Sequence, residues 1–258
     1  MVGRPGDGVG RYREITTVNN YKVKAEIEKS SLGSHVTIDH HKIGTKNRFR
    51  RMFFALKPCV DGFINGCRPY LAIDNTFLTG RYKGQLATAI AVDGHNWMYP
   101  VAFGVFDFKT NENWTWFMQK VKEAIGSPNG LAICTDAGGP VMTGVKDVYP
   151  EAEHRECMFH LVSNFKKRYL GKVFTEYLWA AVYSWQPYFF KKHWHAMEKA
   201  IPKATKYLRD CTKRLWTRSQ FSTIYKVDYV INNLAESFNK WIKEFKAMNL
   251  DDLMDKIR

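Results

Sequence analysis

The chain has 258 residues, 45% of them hydrophobic and 15% aromatic, enough for one large domain or two small ones and too apolar for a disordered chain. No apolar run reaches the roughly 18 residues of a membrane span, and the Gly-rich, polar start Met1–Gly10 has no apolar core and does not read as a secretory signal. The formal charge of +14 favours a polyanion as partner.

Residues 1–48 are polar and weakly patterned and read as a tail or a truncated remnant, with His40-His41 as a solvated pair. From there to residue 157 a strand-rich core is expected. Tyr70–Phe77 is predicted as its first clear strand, and Gly84–Val92 as its second, closed by the turn signal Asp93-Gly94. Met98–Phe108 is the third. Pro100 cannot donate to a ladder, so this strand is expected at an edge. A helix follows, with Asn111 as its cap. Trp114, Phe117, Met118, Val121 and Ile125 lie on one face, and Gly126 and Pro128 end it. Leu131–Thr135 is the fourth strand, reached through that helix and therefore parallel to its neighbour. Asp136-Ala137-Gly138-Gly139-Pro140 turns into a short helix, and Ala152–Glu156 is the fifth strand.

Residues 158–226 read as a helical insertion that is basic and aromatic. Between Arg155 and Lys226 stand 15 Lys/Arg against 4 Asp/Glu, so most of the net charge is in this segment. Lys166-Lys167-Arg168, Lys191-Lys192 and Lys213-Arg214 are candidate phosphate contacts. Most of the aromatics from Tyr177 to Trp194 are expected to form a helical core, with any exposed ones free to stack on an unpaired base. Residues 227–258 hold the last helix, from about Asn232 to Met248. Its apolar stripe is Leu234, Phe238, Trp241, Ile242 and Phe245, and Glu236 lies on the opposite face.

Three acids stand out. Asp74 and Asp136 each end a strand-like run, and Glu236 is borne by a helix. Taken singly they are ordinary: a turn after a strand, a cap before Ala-Gly-Gly, a solvated helix face. Together they offer hard oxygen ligands for two Mg²⁺ or Mn²⁺ ions, the arrangement used to cleave or transfer phosphodiesters. The element order resembles that of the ribonuclease-H-like fold, an α/β architecture with a mixed five-stranded sheet in which the first and fourth strands are neighbours. Cys157 and His160 form a C-x-x-H pair inside His154–His160. Two ligands fall short of the four of a structural zinc site, so zinc is not expected there, and nothing requires His193 or His195 to complete one. Five cysteines without a CxxC spacing point to a reducing compartment. No phosphate-binding GxxxxGK[ST], no GxGxxG and no GxSxG elbow occurs.

The segments GCRP (66–69), IDNTFLTGRYKGQLATAIAVDG (73–94), YPVAFGVFDF, ENWTWFMQKV, TDAGG, AEHRECMFHL and NNLAESFNKW occur in the order found in plant Mutator-like (MULE) transposases, which the chain resembles across most of its length. The resemblance implies a DDE transposase core that cuts and joins DNA at terminal inverted repeats, with Asp74, Asp136 and Glu236 as catalytic metal ligands. It matches Asn233 to the Asn of the family's N-x-x-E motif, and Cys157 and His160 to its C-x-x-H signature. Asn75 departs from the small residue usual after the first aspartate. The resemblance further implies a nuclear location, duplex transposon ends and target DNA as partners, and self-association as an open question. Family members carry DNA-binding modules on both flanks that this sequence does not show, so it reads as a catalytic core alone. A domesticated, non-catalytic DNA-binding regulator and an inactive transposon-derived fragment are the alternative expectations.

Overall fold

The computed structural model describes residues 17–212, 215–224, 227–230 and 233–257. Its centre is one mixed sheet of seven strands: β1 (His35–Ile43), β2 (Lys46–Ala55), β3 (Cys67–Phe77), β4 (Gln85–Asp93), β5 (Met98–Phe106), β6 (Ala132–Thr135) and β7 (Glu153–Glu156). They lie in the order β1-β2-β5-β4-β3-β6-β7. Strands β1 to β5 pair antiparallel with their neighbours, whereas β3, β6 and β7 run parallel.

The five expected strands are present as β3 to β7, and the sheet carries two more. The segment read as a polar tail supplies them: α1 (Thr17–Ser30), β1 and the start of β2 come from residues 17–48. Strand β1 lies at the sheet edge, where His41 and Lys42 are exposed and Val36 alone is buried among its described side chains, so its sequence lacks the apolar run of an inner strand. The added β2 also moves β5 away from the edge. Pro100 is accommodated because β2 pairs only with Phe103–Phe106, while Pro100 sits opposite Ile90 where the β4–β5 register shifts.

Strand alternation sorts two cores onto the two faces of the sheet. Phe53, Leu71, Ile73 and Ile133 face one core, against α2 (Lys57–Gly66), α3 (Asn111–Ile125) and α4 (Gly139–Val148). Helix α3 is capped by Thr110, whose side chain accepts from the Asn113 N–H, rather than by Asn111. It crosses α4 so closely that a Cβ on Gly144 would lie 2.9 Å from the Trp114 backbone. Tyr70, Ala72, Ala132 and Cys134 face the other core, under α1, α9 (Asn233–Trp241) and α10 (Leu250–Ile257). The expected long last helix is shorter than its periodicity suggests. A 3-10 turn, Ile242–Phe245, follows Trp241, and α10 is separate.

Between β7 and α9 lies the helical region: α5 (Met158–Lys166), a π-helical turn (Val173–Leu178), α6 (Trp179–Tyr183), α7 (Pro187–Ala200), α8 (Pro202–Cys211) and a 3-10 turn (Arg218–Gln220). Its core is Met158, Leu161, Phe165, Leu178, Ala181, Met197 and Leu208. Tyr177, Trp179, Phe190 and Trp194 pack half-buried against it, but Tyr183, Trp185, Tyr188 and Phe189 are exposed and do not form the core expected of them. Arg155 ties this region to the sheet. It is fully buried, pairs with Glu153 at 2.6 Å, donates to the Val227 carbonyl at 2.5 Å and lies 3.8 Å over the Phe221 ring.

Candidate metal and catalytic site

The positions of the two aspartates follow from sheet register. The β3–β6 pairing aligns Tyr70 with Ala132, Leu71 with Ile133 and Ala72 with Cys134, a constant offset of 62 positions. Asp74 and Asp136 share that offset, so they leave neighbouring parallel strands at the same level. Residues two apart point to one face of a strand, which puts both in phase with Ala72 and Cys134, toward the face that α9 covers.

Each carboxylate is held in place. Asp74 Oδ1 accepts from the Asn75 N–H at 2.7 Å, and Oδ2 accepts from the Asn239 side chain at 2.9 Å. Asp136 Oδ1 accepts from the Gly138 N–H at 3.0 Å. A Cβ at Gly138 would come within 2.9 Å of that oxygen and would crowd the carboxylate. Glu236 is brought in by α9, whose Ala235 and Phe238, with Ile242 of the following 3-10 turn, are buried in the core beneath. Phe238 packs on Phe103, with ring centroids 5.5 Å apart. Glu236 is half-buried, and its Oε1 is shielded from solvent without a hydrogen-bond partner.

The electrostatics join these groups into one neighbourhood. Burial raises Asp74 to about 6, opposed by the Asn75 hydrogen bond and the His160 charge, with Asp136 and Cys157 adding to the rise. Burial raises Glu236 to about 7, with the negative charges of Cys157 and Asp74 contributing and His160 opposing. These acids therefore lie in a site where negative charge is poorly solvated, and a cation is what would stabilise their ionised forms.

Cys157 and His160 belong to the same place. Cys157 caps the N-terminus of α5 and is buried; hydrogen bonds from Cys134 and His160 pull its thiol well below the usual range. The hydrogen bond with Cys157 raises His160 to about 9, with the charges of Cys157, Asp74 and Asp136 adding to it. One ligating atom each from Cys157, His160 and Glu236 lies within 4.8 Å of the other two. Asp74 and Asp136 are not members of this tight trio. The charge of His160 reaches both aspartates, and that of Asp74 reaches Glu236.

Three contributors were not singled out as site residues in the sequence. Asn239 lies three positions after Glu236 on the same helix, but nothing in its type marks it as Asp74's hydrogen-bond donor. Cys134 faces the same core as Ala132 and reaches Cys157. Lys246, whose side chain donates to Thr76 Oγ1, has a depressed pKa from burial and from Lys243, while Asp74 acts in the opposite direction. The basic candidates Lys166, Lys167, Arg168, Lys191 and Lys192 are all exposed. Lys213, Arg214 and Asn232 lie outside the described residues, and of Asn233 only the backbone is described.

No curated protein matches the chain. A family model, that of the MULE transposase domain, matches residues 70–164, a stretch that runs from β3 into α5 and holds Asp74, Asp136, Cys157 and His160. The match supports a Mutator-like transposase family for this chain and, with it, a transposase-related function.

Proposed function

We propose that the chain is the catalytic core of a Mutator-like DDE transposase, with a ribonuclease-H-like sheet extended by β1 and β2 and a helical insertion before the last acid. The observation that supports this reading is the sheet register that puts Asp74 and Asp136 at one level of neighbouring strands, with Glu236 close enough to Asp74 to feel its charge. Asp74 lies within β3 and Asp136 directly after its parallel neighbour β6, Glu236 comes from a helix 100 positions later, and the charge of Asp74 acts on Glu236 as that of Asp136 acts on Asp74. The residues fit a divalent cation. Their oxygens are hard ligands, the Glu236 Oε1 atom is shielded and unpartnered, and the site disfavours uncompensated negative charge.

Asp74, Asp136 and Glu236 would hold Mg²⁺ or Mn²⁺. When bound, such ions activate an attacking oxygen and stabilise a leaving one on a phosphodiester. The chain's own residues do the rest. Asn239 fixes the Asp74 carboxylate, and the Gly138 N–H fixes Asp136. Lys166 at the end of α5 and Lys167 and Arg168 in the turn after it, with Lys191 and Lys192 on α7, present cations to a DNA backbone.

The test is nicking of supercoiled plasmid in Mg²⁺ or Mn²⁺. The parent chain should nick only with metal. Asp74→Asn, Asp136→Asn and Glu236→Gln should each lose at least about 100-fold in rate, in line with removing a group that acts on the transition state. If all three variants cut like the parent, the assignment fails. Metal-independent DNA binding without any cutting would instead favour the non-catalytic regulator.

A further inference from the structure

The exposed aromatics of the helical region are not scattered. Trp179 and Tyr183 stack with ring centroids 5.6 Å apart. The Arg218 guanidinium lies 4.9 Å from the Tyr183 ring and 4.9 Å from the Trp185 ring. Asp228 holds that guanidinium at 2.9 Å. The result is a layered series of flat groups, Trp179, Tyr183, Arg218 and Trp185, whose last member is 60% exposed. Beside it is an open cavity of about 350 Å³, lined chiefly by Tyr183, Trp185, Phe189, Gln186 and His193. Large aromatic side chains left in solvent together mark a binding surface more often than a bare one.

The charge around the cavity selects the occupant. On α7, Lys192 follows the cavity-lining Phe189 by three positions and, with Lys191, follows the exposed Tyr188 outside the cavity, so a cation shares the face of the ring that borders it. The only acid on α7, Glu198, is engaged by Arg209 at 3.1 Å. Flat faces for stacking, adjacent cations for phosphates, and Gln186 and His193 for hydrogen bonds to a base edge match the chemistry of an unpaired nucleotide. An aliphatic protein partner would use neither the stacked guanidinium nor the flanking lysines.

We infer that the cavity between α6 and α7 is a stacking site for an unpaired nucleobase of single-stranded nucleic acid, with Trp185 as its principal platform. The site does not depend on the acid cluster and would operate whether or not that cluster cuts.

The test is fluorescence anisotropy of the full chain with unstructured oligonucleotides of about 12 nucleotides, within the range one such surface spans. Arms in DNA and in RNA establish which backbone is preferred. Trp185→Ala should weaken binding by roughly 5- to 150-fold, the effect of one stacked base. Trp185→Phe should largely restore it. An abasic oligonucleotide of the same length should bind the parent and Trp185→Ala equally. The inference is overturned if Trp185→Ala binds the normal strand as the parent does, if the loss is the same on the abasic strand, or if the parent binds neither DNA nor RNA single strands. Because Trp185 is exposed, Trp185→Ala should unfold with the parent's midpoint. Nicking by Trp185→Ala on plasmid reports the acid site separately, so failure of one reading is distinguishable from failure of the other.

Discussion

Asn239 shows how a residue acquires a role that its own sequence setting does not announce. An amide on the polar face of a helix is ordinary, and only the 2.9 Å bond to Asp74, 165 positions away in sequence, distinguishes it. Asp74, Asp136 and Glu236 were easier to read, because strand-like runs end at the first two and a periodic helix bears the third. Asp136 does directly follow β6 and Glu236 does lie on α9, whereas β3 continues past Asp74 to Phe77. What the sequence could not convey is which atoms orient them, since that depends on contacts between elements. Replacing Asn239 by Ala leaves Asp74 Oδ2 without its donor. Loss of a residue that orients a metal ligand commonly costs 10- to 100-fold in metal affinity or activity. Asn239→Ala should therefore need about that much more Mn²⁺ for half-maximal nicking, with an unchanged urea midpoint. Asn239→Asp should not rescue it, because it places a third negative charge against Asp74.

At the scale of elements, the five strands β3 to β7 were legible because their apolar alternation is regular and Gly, Pro and Asp-Gly punctuate it. Strands β1 and β2 were not. HVTIDHHKI and KNRFRRMFFA carry histidines, lysines and arginines whose compensation lies elsewhere: Arg51 is paired with Asp39 at 2.7 Å and lies 4.5 Å over the Trp116 ring. A charge satisfied by tertiary partners looks like a surface charge in sequence. Arg155 is the stronger case. It was counted among the basic residues of a DNA-facing segment, yet it is buried and joins β7 to the helical region. Removing one partner of a buried pair typically costs about 3–5 kcal/mol, because the other charge is left uncompensated. Arg155→Ala should lower stability by that amount in urea unfolding. Arg155→Met combined with Glu153→Gln, which leaves no uncompensated charge, should recover much of it. The same measurements on Lys191→Ala should show a change within about 0.5 kcal/mol, as expected of an exposed lysine.

For the whole molecule, charge is divided by region. Asp74 and Asp136 belong to the sheet region, and the helical region carries exposed lysines and arginines along with an aromatic cavity. Binding to duplex DNA should therefore be strongly salt-dependent, and the dependence should belong to the helical region. Each phosphate contact removed lowers the slope of log K against log salt by about 0.9 on duplex DNA. Lys191→Ala with Lys192→Ala should reduce the slope by up to about 1.8 while leaving urea stability unchanged. An unaltered slope would place the phosphate contacts elsewhere.

The 100 positions that separate Asp136 from Glu236 also have a meaning in time. At about 5–20 residues per second, a ribosome takes roughly 5–20 s to pass from one to the other. Throughout that interval the nascent chain holds the two aspartates that sheet register sets side by side, but neither the glutamate nor Phe238, which fills the core beneath it. The acid cluster is therefore completed only after the helical region and its basic surface have been synthesised. Vectorial synthesis thus imposes an order of assembly: the basic helical surface comes first, and Glu236 comes last.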